Sequence, residues 1–508
     1  MYQQQNEVDK NNTPSGWARI TLQNAVQVID YRGRTPPFSE SGIPHLRSNN
    51  VKGGKVIWDD LRYVSEETYR KYMTRGLPDQ GDLLFTTEAP LGQVALVPDL
   101  KFSLAQRLMI LKPDRRLLMS KFLMYQIQSE GFQRKLRRSG TGTTVKGVSS
   151  RNFRPSELFM APVPEQQRIV DRIEELFSDL DTGVKTLKTV QLQLKVYRQA
   201  VLKWAFEGKF TEGWRVRSGT NLSRSELWAK IETVKRQHGG TKKAISNTAL
   251  LEQQSFELPE IPGSWHWITI GDLTLGVEYG TSTKSMPEGK MPVLRMGNIQ
   301  NCAIDWSDLV YSNDQDDNRK YLLHPNDVLF NRTNSPELVG KTAIYRGEIP
   351  AIFAGYLIRI KQLSELADAR YLNYFLNSAV AKNVANKVKT DGVNQSNING
   401  QKLIGYPFPA CLIEEQKQVA DEIEARLSVC DSIEQAVIEN LRRSEALRQS
   451  ILQLAFAGKL VPQDPNDEPA EKTLKRVREE RSVTDGKAPS SSRAARKSNK
   501  PLPELIEA

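Results

Sequence analysis

The chain writes itself twice. At an offset of 248, Pro14 and Trp17 fall on Pro262 and Trp265, and IPHLRSNNV (43–51) falls on MPVLRMGNI (291–299), matching Pro44, Leu46, Arg47 and Asn50 with Pro292, Leu294, Arg295 and Asn298. GDLLF (81–85) pairs with NDVLF (326–330), and Gly92 with Gly340. The offset then settles at 250, where PEQQRIVDRIE (164–174) meets EEQKQVADEIE (414–424) and YRQAVLKWAFEGKF (197–210) meets LRQSILQLAFAGKL (447–460). Each half is one unit of about 250 residues, so whatever fold the first half adopts, the second must adopt too. At 508 residues there is chain enough for several cores.

Each unit has two parts. The first 150 or so residues carry short apolar runs, DLLFTT, QVALV and RLMILK in the first half, KTAIY and LIRIK in the second. Gly, Pro, Asn and Asp punctuate them, which predicts a mainly β domain. Helices are predicted around KFLMYQIQSEGFQRKLRR (121–138) and RYLNYFLNSAVAKNVANKV (370–388), where apolar residues recur at spacings of three and four.

The second part of each unit, Glu165 to Glu207 and Glu415 to Ala457, lacks proline. Its apolar residues repeat at helical spacing: Ile169, Ile173, Leu176, Leu180, Val184, Leu187, Leu194 and Val201, then Val419, Ile423, Cys430, Val437, Leu441 and Ile451. Such a stripe belongs to a long helix that needs a helical partner, and the simplest partner is its twin. At 1.5 Å per residue, 43 residues make a rod of about 64 Å. An antiparallel pair would carry the chain out and back between two globular domains. Gly208-Lys209 and Gly458-Lys459 mark the stops, glycine being the usual residue in the left-handed conformation that ends a helix. A short helix follows each, SELWAKIETVKRQ (225–237) and AEKTLKRVREER (470–481), and GGTKKAISNTALLEQQ (239–254) reads as a linker.

Several chemistries are excluded. Cys302, Cys411 and Cys430 have no CxxC spacing, and His45, His238, His266 and His324 have no metal-ligand spacing. SPELVGKT (335–342) ends like a phosphate loop, but serine stands where the first glycine must be. TPPF (35–38) lacks the asparagine that holds a target amine, and no Gly-rich turn for a methyl donor precedes it. Asp59, Asp60, Glu66, Asp82 and Glu88 do not have nuclease spacing, and there is no Gly-x-Ser-x-Gly elbow. The N-terminus has no apolar stretch behind a basic start, and no apolar run has membrane-spanning length, so a cytoplasmic protein is expected.

What remains is binding. The net charge is +11, but the stretch from Lys472 to Lys500 holds ten Lys/Arg against three acids, so the folded body is only mildly basic. Arg suits guanine edges, Asn adenine edges, and Lys, Ser and Thr phosphates. The loops offer Arg47, Asn49 and Asn50, Thr86 and Thr87, then Thr143, Lys146 and Arg151 in the first half. The second half offers Arg295 and Asn298, Arg332 and Asn334, then Asn394 and Asn397. Arg47 and Arg295 also suit a structural role, because a base-reading residue has little reason to be the same in two domains that read different sequences. The basic run RKLRR (134–138) reads as a solvated helix face.

Two diverged domains, each followed by a long helix that opens with PEQQRI or EEQKQV and closes with AFxGK, resemble the specificity subunit of a type I restriction-modification system. The likeness runs from about Trp17 to Arg481. It implies an α+β fold: two globular, mainly β target recognition domains with some helices, separated by two long antiparallel helices that form a coiled coil. The expected division is a tail at 1–16, recognition domains at 17–163 and 262–413, spacer helices at 164–210 and 414–460, a short helix and linker at 211–261, a short helix at 461–481 and a basic disordered tail at 482–508. The resemblance also implies that each domain reads half of a split double-stranded DNA site. Two methyltransferase subunits would dock on the helices, with Phe206, Gly208, Lys209, Phe456, Gly458 and Lys459 as helix-end and docking candidates, and two restriction/translocase subunits would sit outside them. No catalytic residue, metal or cofactor is expected on this chain; S-adenosylmethionine, ATP and Mg are expected on the partners. The rivals are a coiled-coil scaffold without DNA specificity and a single-chain methyltransferase or nuclease with a divergent site.

Overall fold

RLMILK becomes the central strand of the first domain because every residue from Leu108 to Leu111 is buried, and alternate side chains serve different cores. Met109 and Leu111 face one cluster, Leu108 and Ile110 the other. The computed structural model describes residues 13–31, 35–140, 146–219, 221–239, 256–393 and 395–485. In the first domain the four-stranded sheet runs in the order Val26–Asp30, Leu108–Pro113, Leu83–Thr86, Val94–Leu96, antiparallel throughout. In the second, Thr274–Tyr279, Leu357–Gln362, Val328–Asn331 and Thr342–Ile344 stand in the same order and sense. There too alternation divides the cores: Val328, Phe330, Ile358 and Ile360 on one side, Leu329 and Leu357 on the other.

A closing strand pair ties each domain's beginning to its end: Ala18–Thr21 with Glu157–Met160, and His266–Thr269 with Pro407–Ala410. The chain therefore enters and leaves each domain at one place and passes straight into a long helix. The predicted helices at 121–138 and 370–388 are each two helices, Ser120–Gln128 with Glu130–Ser139, and Ala369–Leu376 with Ala379–Val388. Serine is the reason. Ser129 Oγ accepts from Phe132 N and Ser378 Oγ from Ala381 N, so each begins a new helix as its N-cap.

The long helices span Val163–Phe206 and Ile413–Phe456. The chain divides into two compact units, Met1–Thr186 with Asn440–Ala508, and Leu187–Glu439. Each unit thus holds one sheet domain, the start of the helix that follows it and the end of the other helix. In the first unit Ile169, Val170 and Ile173 share a core with Leu452, Ala455 and Phe456, and further along Arg448 pairs with Asp181. In the second, Val201, Leu202, Ala205 and Phe206 share a core with Val419, Ala420 and Ile423, and Arg198 meets Asp431 at 2.6 Å and Glu434 at 2.8 Å. Rising numbers on one helix meet falling numbers on the other, so within each unit the segments are antiparallel. The repeats seen in sequence and the compact units differ because a lone amphipathic helix cannot bury its stripe; each takes the other as cover.

The short helices complete the cores. Leu227, Ile231 and Val234 of Arg224–Gln237 join the second unit, and Ala470, Leu474 and Val477 of Ala470–Asp485 join the first. The expected tail at 482–508 is helical as far as Asp485, and its remainder lies outside the described residues, as does the expected linker after Gly239.

The PEQQ and EEQK signatures have a specific cause. Gln166 is wholly buried; its Oε1 accepts from Met119 N at 2.9 Å, and its Nε2 donates to Leu117 O and Ala161 O, each at 2.8 Å. Gln416 makes the same three bonds with Asp368 N, Leu366 O and Cys411 O, each at 3.0 Å. One amide thereby joins the long helix to two turns of its domain. Gln166→Ala orphans three backbone groups at about 1–3 kcal/mol for each one left buried, so a loss of roughly 3 kcal/mol in chemical denaturation is expected. Gln167→Ala, exposed beside it, should change stability by less than about 0.5 kcal/mol. Equal losses for the two variants would contradict the clamp.

Candidate nucleic-acid interface

Three loops meet at one end of each domain's sheet, held by the same backbone bonds. In the first domain Thr87 N donates to Arg107 O at 2.9 Å, and Val148 N donates to Thr87 O at 3.0 Å. In the second, Arg332 N donates to Tyr356 O at 3.0 Å, and Ile398 N to Arg332 O at 2.9 Å. The repeated glycines close the first loop: Gly92 N reaches Thr86 O and Gly340 N reaches Asn331 O, both at 2.9 Å, from backbones with φ of +82° and +90°. A side chain at position 92 would also sit 2.7 Å from Leu136 Cδ2, which accounts for glycine there.

Several sequence candidates turn out to build this frame and are reassigned to structural roles. Asn50 and Asn298 are buried; each side-chain oxygen accepts from the N–H of Arg47 or Arg295, and each amide donates to two backbone carbonyls, Ile57 and Asp59 or Asp305 and Asp308. Arg47 pairs with Asp60 at 2.7 Å and Arg295 with Asp308 at 3.1 Å. Thr86 Oγ1 donates to Pro90 O and accepts from Gln93 N, and Thr87 Oγ1 donates to Arg107 O. Buried groups with all their partners inside the protein have nothing left for a base edge. Arg332 is half-buried, donating to Gly355 O and Asn397 Oδ1, each at 3.3 Å, with its guanidinium 5.0 Å from the Tyr279 ring centroid. It holds the three loops together. Asn397 is tied in as well, donating to Thr333 Oγ1 at 2.8 Å.

Other candidates stay outward. Asn49 is exposed on a turn that Ser48 fastens to the first loop through Ala89 O, and Lys146 is exposed on the third loop. Asn334 is half-buried at the edge of the small sheet formed by residues 333–334, 396–397 and 390–391. Arg151 is exposed on the one-turn helix Ser150–Phe153 and takes no part in the frame above. Thr143 and Asn394 lie outside the described residues. Arg107, Tyr279 and Tyr356 were not among the sequence candidates, and Glu88 was weighed only as a nuclease carboxylate. Glu88 and Arg107 pair at 2.8 Å; in the second domain Tyr279, the last residue of the strand Thr274–Tyr279, and Tyr356, on a loop, are exposed. The signal that could have found the first pair was positional: these residues occupy equivalent places in two aligned repeats yet differ between them.

The helix ends are also reassigned. Phe206 is buried against Tyr371 and Phe375, with ring centroids 5.1 and 5.2 Å away, and Phe456 is buried against Phe122 at 5.3 Å. Gly208 and Gly458 are left-handed at φ +70° and +67°. A Cβ at Gly208 would sit 2.3 Å from Pro262, and one at Gly458 would sit 2.6 Å from Pro14. AFxGK therefore recurs because each helix end is an internal joint packed on the proline that opens a domain. Only Lys209 and Lys459 of the six docking candidates are exposed. Exposed apolar side chains lie two and nine residues before each phenylalanine, Trp204 and Tyr197 on one helix, Leu454 and Leu447 at the matching positions of the other, besides Leu192, Val196, Val429 and Ile433, which have no large apolar counterpart.

SPELVGKT runs from the strand Thr333–Asn334 to the strand Thr342–Ile344 without opening a helix, so it forms no phosphate cradle. His45 is buried 2.8 Å from Ser103 Oγ, and burial, together with Arg47 and Arg62, pushes its pKa down to about 4, leaving it neutral at pH 7. Burial pushes the Cys302 thiol up to about 12. Among the described residues no His, Cys, Asp and Glu are grouped to hold a metal ion, and no helix is long and apolar enough to cross a membrane.

Comparison with known proteins places these features. Residues 14–190 and 262–443 both match the family model described as type I restriction modification DNA specificity domain. The chain is 23% identical to the type I restriction enzyme EcoKI specificity subunit of Escherichia coli K12, over 93% of this chain and 97% of that protein. It is 22% identical to the StySPI specificity subunit of Salmonella potsdam, over 96% and 100%. A chain solved in work on complex assembly and conformational transition of the type I R-M system shares the fold at TM-score 0.60 and 17% identity, covering 88% of this chain and 99% of that one.

Proposed function

Because the chain belongs to the type I restriction-modification DNA specificity family, we propose that it is the reader of a split DNA site, each recognition domain contacting one half through its three-loop end. The observation that carries this reading is one frame used twice with different tips. Thr87 and Arg332 anchor equivalent loops, while the neighbours are half-buried Glu88 and exposed Arg107 in one domain and exposed Tyr356 in the other. A common frame with unlike tips suits two readers of unlike sequences, since base edges are distinguished by side chains and not by the backbone that carries them.

The paired helices act in this reading as a ruler for the gap between half-sites, at about 1.5 Å of length for each residue. The chemistry lies elsewhere: S-adenosylmethionine on two methyltransferase subunits, and ATP and Mg on two restriction/translocase subunits. Supporting the double docking, Tyr197 and Trp204 stand seven residues apart, about two helical turns, and are 44% and 45% exposed; Leu447 and Leu454 repeat them at 52% and 43%. One partner surface can thus find an apolar pair at matching positions twice, aromatic on one helix and aliphatic on the other. Trp204→Asp combined with Leu454→Asp is expected to weaken capture of the cognate methyltransferase subunit at least tenfold in a pull-down titration, with the melting temperature unchanged. Full-strength capture would move the docking site away from this face.

A gel shift of the reconstituted complex across a salt series tests the reading itself. Binding should weaken steeply as salt rises, because each phosphate contact releases counterions. A complex indifferent to DNA at low salt favours the scaffold alternative. Stoichiometric uptake of labelled S-adenosylmethionine by the isolated chain favours a methyltransferase.

A further inference from the structure

We infer that Arg107 and Glu88 together read a single G·C base pair in the half-site of the first domain, an assignment that rests on the DNA-reading function proposed above. Arg107 Nε and Glu88 Oε1 are 2.8 Å apart, and the two side chains are 49% and 38% exposed. Their loops are fixed from behind. Thr87, next to Glu88, binds Arg107 O through both its N–H and its Oγ1, at 2.9 and 3.2 Å, and Glu88 bridges to Gly147 of the third loop. The pair is therefore held in place before any ligand arrives, and among the described residues the Nη groups of Arg107 have no other hydrogen-bond partner.

Side by side, a guanidinium and a carboxylate present a row of donors followed by an acceptor. In the major groove a G·C pair presents N7 and O6 of guanine, both acceptors, followed by the N4 amino donor of cytosine. The two rows are complementary. An A·T pair presents acceptor, donor, acceptor, and sets its adenine amino group against the guanidinium. A phosphate contact fits less well, because Glu88 would bring a second negative charge to the same place.

The second domain lacks this device. Tyr356 occupies the position of Arg107, accepting from Arg332 N as Arg107 does from Thr87 N, and Thr333 follows Arg332 as Glu88 follows Thr87. Thr333 Oγ1 is engaged by Asn397. The G·C reader thus belongs to one half-site alone.

The test places full-length chains carrying Arg107→Gln, Arg107→Lys or Glu88→Gln in the host in place of its own copy and maps methylation across the host genome. One G·C position in the first domain's half should relax in all three, discrimination against other pairs there falling roughly 5- to 150-fold, with the other half and the gap unchanged. Arg107→Lys keeps the charge but loses the fork, so it separates base reading from simple attraction. Discrimination retained at every position overturns the inference, as does relaxation at an A·T position. A uniform loss over all sites in chains that melt like the parent also overturns it, by making Arg107 a support. Should the parent chain itself direct no split motif, the DNA-reading function fails together with it.

Discussion

Exchanging residues 17–161 for the corresponding domain of another member of the family is expected to rewrite one half of the methylated motif and leave the other half and the gap as they were. The exchange cuts where the closing strands Ala18–Thr21 and Glu157–Met160 bring the domain's ends together, so the incoming domain meets the long helix at one joint. Besides the cover that Phe456, Leu474 and Val477 give the domain, two polar contacts at that joint must be kept. Trp17 Nε1 donates to Glu165 Oε1 at 3.0 Å, and the Gln166 amide reaches Leu117 O and Ala161 O, so the incoming domain must offer the same tryptophan and turns. The effect is large because each mismatched base pair costs about 1–3 kcal/mol. Losing two matched pairs lowers affinity for the old sites by at least about thirtyfold. Changes in both halves would show that the two domains do not read independently.

Lengthening the helices should have a comparable effect on the gap. Seven residues inserted into each, between Thr186 and Leu187 and between Glu439 and Asn440, fall where the helices pass from one compact unit to the other. Seven residues add about 10.5 Å and nearly preserve the phase of the apolar stripe. At about 3.4 Å per base pair this is roughly three pairs of extra gap. Methylation of sites with the original gap should fall at least tenfold, and any sites still methylated should have a longer one. The same insertion in one helix alone should be worse, since it offsets Arg198 from Asp431 and Glu434, or Arg448 from Asp181. Unaltered use of the original gap would remove the helices' role as a ruler.

Much of the architecture was legible because repetition doubles every signal. A stripe of apolar residues without proline needs a helix, a glycine-lysine stop ends it, and RLMILK between turn residues needs a buried strand. The stripe could not say which partner covers which half of a helix, and that is where the compact units depart from the sequence repeats. A helix period also carries through a serine, so the breaks at Ser129 and Ser378 were hidden until their hydroxyls were seen capping new helices. At the interface, residue type alone misled. Asn50, Asn298, Thr86 and Thr87 have the chemistry of base readers, but they spend it on their own backbone. Phe206 and Phe456 were expected at a docking surface and instead fill cores, while Trp204 and Leu454, two residues earlier, face out. A polar side chain that recurs in both repeats, as Asn50 and Asn298 do, is therefore better evidence for a turn than for a reader.

The most direct measurement is the methylation pattern of the host genome with this gene present, deleted and restored. A split motif, two short specified sequences around a gap of fixed length, should vanish on deletion and return on restoration. A motif that persists without the gene, or a lost motif that proves continuous, would contradict two domains reading one divided site.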